Sequence, residues 1–281
     1  MRSDDGSPGA PSPHPEPVGP EPVGRALVTG ASSGIGEAFA RALAARGWDL
    51  VLVARRRARL EALAAALAGP GTDHEVLTAD LTDPGDLATV ADRLADGASP
   101  VGMLVNNAGF GSQGQFWTRP IDVELAEVAL NVVAPVRLAH AAVGAMVTRG
   151  EGAVVNVSSL SSLQPLPHWA TYSSTKAFLS TFSAALGAEL AGTGVRILDV
   201  KPGFTRTEFQ DQSSFSREIV PGPLWLRAEQ VAEASLRALD RGAEECLPGW
   251  QSALLARLSR LSPWPLQRAV LLRATRHLRK R

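Results

Sequence analysis

Ala26-Leu-Val-Thr29-Gly30-Ala-Ser-Ser-Gly34-Ile-Gly36 begins as a short β-forming run and breaks into a glycine-rich turn; an Ala/Leu-rich segment through about Arg46 follows. That order predicts a strand, a tight turn and a helix. Gly30 and Gly34 let the backbone turn and approach a pyrophosphate closely, and Gly36 lets the helix pack against the strand. Free N–H groups and the positive end of the helix dipole then face the phosphate. Ser32, Ser33 and Ile35 belong to the same turn and are expected cofactor contacts. The spacing is not the G-x-G-x-x-G form, so at this point an ordinary glycine-rich loop competes with the phosphate reading.

A second apolar strand, Leu50-Val-Leu-Val53, runs into Ala54-Arg55-Arg56-Arg57. In a dinucleotide-binding fold the residue just past this strand meets the adenosine ribose, where an acid selects the 2′-hydroxyl and an Arg the 2′-phosphate. Arg55 stands there with Arg56 beside it, and a guanidinium fork suits a phosphate dianion. The expected cofactor is NADP(H). A merely solvated helix start explains the arginines poorly, because cations there oppose the helix dipole.

The alternation continues with a helix at 57–68, a strand at 75–79, a helix at 84–95 and a strand at 102–105. Further elements follow at 121–147, 152–157, 168–191 and 195–200. Near-continuous apolar strands between helices mean a parallel sheet covered on both faces, with ligands beyond the carboxyl ends of its strands. Asp80-Leu81, Asn106-Asn107-Ala108-Gly109, Asn156-Val-Ser-Ser159 and Lys201-Pro202-Gly203-Phe-Thr205-Arg-Thr207 all fall at such ends, and Asn131 falls in a helix between them.

Tyr172-Ser-Ser-Thr-Lys176 contains the only Tyr of the chain. Positions four apart share a helix face, so a phenol and an ammonium stand side by side. A nearby cation stabilises the phenolate, so the Tyr172 pKa is expected to fall from ~10 toward the working range, where proton transfer becomes feasible. Alone, the pair also fits a plain helix with a snorkelling Lys.

Composition bounds the rest. A chain of 281 residues with 45% hydrophobic content fits one large α/β domain. The single Cys, Cys246, forms no internal disulfide, and the five His show no metal-ligand spacing, so no metal is expected and a reducing, cytoplasmic setting is. The net charge is zero, but residues 253–281 hold eight Arg/Lys and no acid, leaving −8 on the remainder. Positive charge is therefore a property of the tail, and nucleic acid is not an expected partner. No uninterrupted apolar run approaches the ~20 residues of a membrane span, and the N-terminus lacks a signal peptide's apolar region.

Taken together, the chain resembles the classical short-chain dehydrogenase/reductase family over about residues 24–250. The resemblance is carried by Thr29-Gly30-x-x-x-Gly34-x-Gly36, Asn106-Asn107-Ala108-Gly109, Asn131, Ser159, Tyr172-x-x-x-Lys176 and Pro202-Gly203-x-x-x-Thr207. It implies a single-domain, three-layer α/β/α fold with a doubly wound, Rossmann-type parallel sheet. It also implies an oxidoreductase in which Tyr172 exchanges a proton with the carbonyl or alcohol oxygen and Ser159 hydrogen-bonds that oxygen. Lys176 would tune Tyr172 and hold the nicotinamide ribose, and Asn131 would anchor a water leading from Lys176 to solvent. Asp80 and Leu81 would contact adenine; Asn107, Ala108 and Gly109 would line the cofactor; Pro202, Gly203, Thr205 and Thr207 would border its carboxamide and pyrophosphate. A homodimer or homotetramer is implied as well. The stretch Asn106-Asn-Ala-Gly-Phe-Gly-Ser-Gln-Gly-Gln-Phe116 looks like the extended motif of bacterial reductases with mostly unassigned substrates, and a plain glycine-rich loop reads equally well.

Residues 1–22, with seven Pro, are expected to be a disordered leader before a catalytic domain at 23–252. Residues 204–226, with Phe204, Phe209, Phe215 and Trp225, read as a lid; its aromatics fit an apolar substrate such as a lipid-like ketone, a steroid or an acyl thioester, and fit packing against the protein's own core equally well. Residues 253–281 read as two short basic amphipathic helices broken at Ser262-Pro-Trp-Pro265, suited to an anionic membrane surface or to packing on the domain or on a dimer partner. Two rival functions stand beside the enzyme, a non-catalytic NADP(H)-binding regulator and a membrane-surface adaptor. A scaffold has no use for the full Asn131, Ser159, Tyr172 and Lys176 set.

Overall fold

The computed structural model describes residues 24–69, 71–209, 221–263, 267–269 and 272–273. The expected leader and Phe215 of the lid lie outside them. Five strands are buried along nearly their whole length: β1 (Arg25–Thr29), β2 (Asp49–Ala54), β4 (Val101–Asn106), β5 (Gly152–Val157) and β6 (Val195–Val200). β3 (His74–Thr78) is less covered, and β9 (Glu245–Cys246) is short. They form one seven-stranded sheet in the order β3-β2-β1-β4-β5-β6-β9, every neighbour parallel. β3 and β9, the edges, are the weakly buried strands, as edge positions dictate.

Side chains alternate between two cores. On β1 and β2, Ala26, Val28, Leu50 and Leu52 face one side, and Leu27, Val51 and Val53 the other. The first side is closed by α1 (Gly34–Ala44), α2 (Arg57–Leu67) and α7 (Ala228–Asp240), through Phe39, Leu43, Leu60 and Leu236. The second is closed by α3 (Pro84–Ala95) and α5 (Ala134–Arg149), through Val90, Leu94, Leu138 and Met146, with Leu186 of α6 (Ala170–Glu189) beside them. The three-layer, single-domain architecture read from the sequence is what forms.

α4 (Ile121–Val128) leads through one π-helical turn, Ala129–Val133, into α5. Asn131 therefore sits in a widened turn rather than in the regular helix expected. The rod Ile121–Arg149 is long and apolar enough to cross a membrane, but Leu138, Ala142 and Met146 are core residues of the sheet's second face. After β6, a two-residue bridge pairs β7 (Thr205–Arg206) with β8 (Leu226–Arg227), near the two ends of the segment 204–226. α8 (Gly249–Leu261) runs through residue 252, the border expected between domain and tail. Ser252 is wholly buried, and its hydroxyl accepts the Gly203 N–H at 3.1 Å, so the start of the expected tail is stitched to the end of β6.

Candidate active site

One cavity of about 980 Å³ opens at the carboxyl ends of the strands. Its floor is the glycine-rich turn. Gly30 and Gly34 take φ of +68° and +59°, which L side chains rarely adopt. A Cβ on Gly36 would lie 2.3 Å from Gly30 O and 2.4 Å from Asn107 Nδ2, so the first turn of α1 closes on β1 only without a side chain there. Ser33 precedes α1 with no side-chain cap, which leaves the helix's first N–H groups to the cavity. Asn107 locks the frame, donating from its backbone N–H to Thr29 Oγ1 and from Nδ2 to Thr29 O, both at 2.9 Å.

Ser32, Ser33, Ile35, Leu81, Ala108, Gly109, Pro202, Gly203, Thr205 and Thr207 line the same cavity with Gly30 and Gly34. Gly36 and Asn131 do not line it. Asn131 stands behind, its Nδ2 donating to Phe110 O at 2.8 Å and Thr175 Oγ1 at 3.1 Å, and it borders a small void shared with Lys176. A Cβ on Gly109 would be 2.9 Å from Asn131 Oδ1 and 3.4 Å from Lys176 Nζ, so that glycine holds the passage between them open.

At the inner end, α6 presents Tyr172 and Lys176 to the cavity, and Ser159 caps the 3₁₀ turn after β5. Tyr172 is held between Trp169 and Phe209, each with its ring centroid 5.6 Å away. Lys176 Nζ donates to Val157 O at 2.9 Å and lies 5.9 Å from the centre of the Tyr172 ring. The expected fall of the Tyr172 pKa does not occur in this arrangement. Burial pushes it up to about 12; the hydroxyls of Ser159 and Ser161 pull it back only in part, and the Glu127 carboxylate adds to the rise. Burial likewise lowers Lys176 to about 8, against the opposing pull of Asp199 and Glu127. The phenol is thus a loaded acid at neutral pH, and the ammonium is the group that titrates near it.

Arg55 and Arg56 both line the cavity, and they are held differently. Arg55 is 71% exposed and reaches only toward Asp80, at 3.8 Å. Asp80 accepts the Thr82 backbone N–H and hydroxyl, so it caps its own turn as well as lining the cavity. Arg56 folds inward and donates to Ser32 Oγ at 3.0 Å and Ser33 Oγ at 2.8 Å. Its other nitrogen pairs with Glu208 at 2.8 Å, and Arg59 meets the same carboxylate at 2.5 Å. The Arg59 and Arg56 guanidinia hold Glu208 down at about 2, so it is ionised throughout the working range.

Several residues at the site carry no sequence signal. Glu208, which pairs with Arg56 and Arg59, is one; the sequence marks Phe209 beside it only as an aromatic of the segment 204–226, with no sign that it rests on Tyr172. Ser161 Oγ is buried without regular hydrogen-bond geometry, yet close enough to weigh on Tyr172. Ser112 donates backbone N–H and hydroxyl to the fully buried Glu127, whose burial raises its own pKa. Leu255, Leu258 and Ser259 of α8 complete one wall.

A family model described as short chain dehydrogenase matches residues 25–217. The chain belongs to that family. This short-chain dehydrogenase is 37% identical over 222 residues to the sulfoacetaldehyde reductase of Chromohalobacter salexigens, covering 74% of this chain and 84% of that protein. It superposes on a short-chain dehydrogenase from Sphingobium yanoikuyae in complex with NADPH with a TM-score of 0.78 at 37% identity, over 89% of this chain and 95% of that one. Against the bulky-bulky ketone specific alcohol dehydrogenase of Comamonas testosteroni the TM-score is 0.73 at 33% identity, over 86% and 94% of the two chains. The protein is an oxidoreductase of the carbonyl/alcohol kind.

Proposed function

We propose that this short-chain dehydrogenase uses NADP(H) to interconvert a carbonyl and an alcohol on a bulky, apolar small molecule. The observation that carries the reading is the polarity of one cavity, with arginines at the end next to the glycine turn and Tyr172, Ser159 and Lys176 converging at the other. The glycine cradle and uncapped α1 start fit a dinucleotide pyrophosphate, and Arg56, braced by Ser32 and Ser33, fits a 2′-phosphate. NADPH, when bound, supplies a hydride. Tyr172 then donates its proton to the carbonyl oxygen, Ser159 hydrogen-bonds that oxygen as charge builds on it, and Lys176 stabilises the phenolate left behind. For the substrate, the described cations lining the cavity are Arg55, Arg56 and Lys176 alone, Trp169 packs on Tyr172, and Leu163, Leu166, Phe204 and Leu224 add apolar surface to the same cavity. That lining favours a bulky ketone over a small sulfonate, which would ask for a cation of its own.

The test combines titration and turnover. Wild-type protein should bind NADPH more tightly than NADH, and Tyr172→Phe should keep that binding while turnover on an aryl or cyclic ketone falls by about 10²–10⁴. Equal binding of the two cofactors would sink the NADP(H) assignment, and full activity of the Phe variant would sink the role of Tyr172.

A further inference from the structure

α8 has more apolar surface than the cavity uses. Its inner side packs Ser252 and Ala256 and sends Leu255, Leu258 and Ser259 to the cavity wall. On the outside, Trp250, Leu254, Leu258 and Leu261 are 64%, 46%, 53% and 72% exposed. Steps of four, four and three residues put these side chains in one stripe along the helix. Leu258 belongs to both faces, so the stripe runs beside the mouth of the cavity. Arg257 on the helix and Arg268 and Arg273 after it in the chain are exposed, and no described carboxylate pairs with them.

We propose that α8 docks the enzyme on an anionic lipid surface, with Trp250 and the leucines entering the headgroup boundary and the arginines meeting the lipid charge. Trp at such a boundary and Arg/Lys against anionic headgroups are the side chains that interface selects. Charge decides against a second copy of the chain as the occupant. Apposing two copies of α8 and the residues after it would bring Arg257, Arg268 and Arg273 of one copy toward the same arginines of the other. An anionic surface turns the same charge into attraction. Docking in this pose points the cavity mouth at the lipid, so an apolar carbonyl compound dissolved there reaches Tyr172 without crossing water; this last step rests on the substrate class proposed above, whereas the docking does not.

The experiment is sedimentation of the full chain with vesicles of phosphatidylcholine alone and of equimolar phosphatidylcholine and phosphatidylglycerol. Binding should favour the anionic vesicles and weaken between roughly 0.1 M and 1 M salt as the screening length shrinks. Trp250→Glu/Leu254→Glu should bind at least ~10-fold more weakly. Each of Arg257→Gln and Arg268→Gln should cost about fivefold on anionic vesicles only. Neither Trp250 nor Leu254 lines the cavity, so the double variant keeps its NADPH affinity and its turnover of a water-soluble ketone, which establishes that it is folded. Equal vesicle binding by wild type and double variant would overturn the proposal. So would a fall in assembled mass of the double variant by light scattering, since the stripe would then be an interface between copies. Vesicle binding is read without turnover, so its failure is separable from failure of the NADP(H) reading.

Discussion

At Lys176 the pKa of about 8 and at Tyr172 that of about 12 leave both groups protonated near neutral pH. Carbonyl reduction should therefore be flat on the acid side and fall as pH rises through about 8, with Lys176 losing its proton while Tyr172 keeps its own. A pH–kcat/KM profile checks this, and Lys176→Arg, which holds its charge, should move that limb out of range; a wild-type profile flat into alkali would contradict it. Stability moves the opposite way. The folded pKa of Lys176 lies below its unfolded ~10.5, so the unfolded chain binds more protons between the two values and stability rises with pH across that window. The i, i+4 pairing of these side chains is legible in sequence, but the direction of the Tyr172 shift is not, because spacing reports neighbours and not depth. The same limit blurred Arg55 and Arg56. Both follow β2, and only the fold reveals which turns onto Ser32 and Ser33. Arg56→Ala should weaken NADPH binding by roughly 10–100-fold, the worth of a charged hydrogen-bonded contact, with NADH binding nearly unchanged. A drop shared equally by both cofactors would mean that Arg56 only braces the turn.

Among the elements, the β1–α1 junction has the least tolerance. Gly36→Ala places a methyl against the Gly30 carbonyl and Asn107 Nδ2, both fixed by the sheet. Overpacking of this kind costs about 1–3 kcal/mol, which for a domain of this size lowers Tm by ~2–12 °C in a thermal melt. An unchanged Tm would mean that α1 shifts freely on β1. That junction was readable because glycine has a backbone reason to be there. The π turn around Asn131 was not, since nothing in Ala129–Val133 marks an extra residue per turn. Nor was the placement of α8. Its leucines repeat at helical spacing on both sides, and a one-dimensional pattern cannot say which side meets a cavity wall.

For the molecule as a whole, strand–helix alternation made the parallel, doubly covered sheet and the site's position legible, because apolar strands buried on both faces leave few alternatives; the strand order came only with the fold. What the chain order hid is how the far ends of the cavity are joined. Glu208, fastened to Arg56 and Arg59, and Phe209, resting on Tyr172, are consecutive residues. Just before them Thr207 crowds Gly34, whose Cβ would lie 3.0 Å from it. A pyrophosphate seated on the Gly30–Gly34 turn is expected to displace Thr207, and with it Phe209 from the Tyr172 ring. The kinetic order expected from that linkage is cofactor on first and off last. Initial-rate patterns should show NADP⁺ competing with NADPH at every ketone concentration and the alcohol product not competing with NADPH, and a dead-end ketone analogue should bind the free enzyme far more weakly than the enzyme holding its cofactor. An analogue that bound both forms alike would show that the two ends of the cavity act independently.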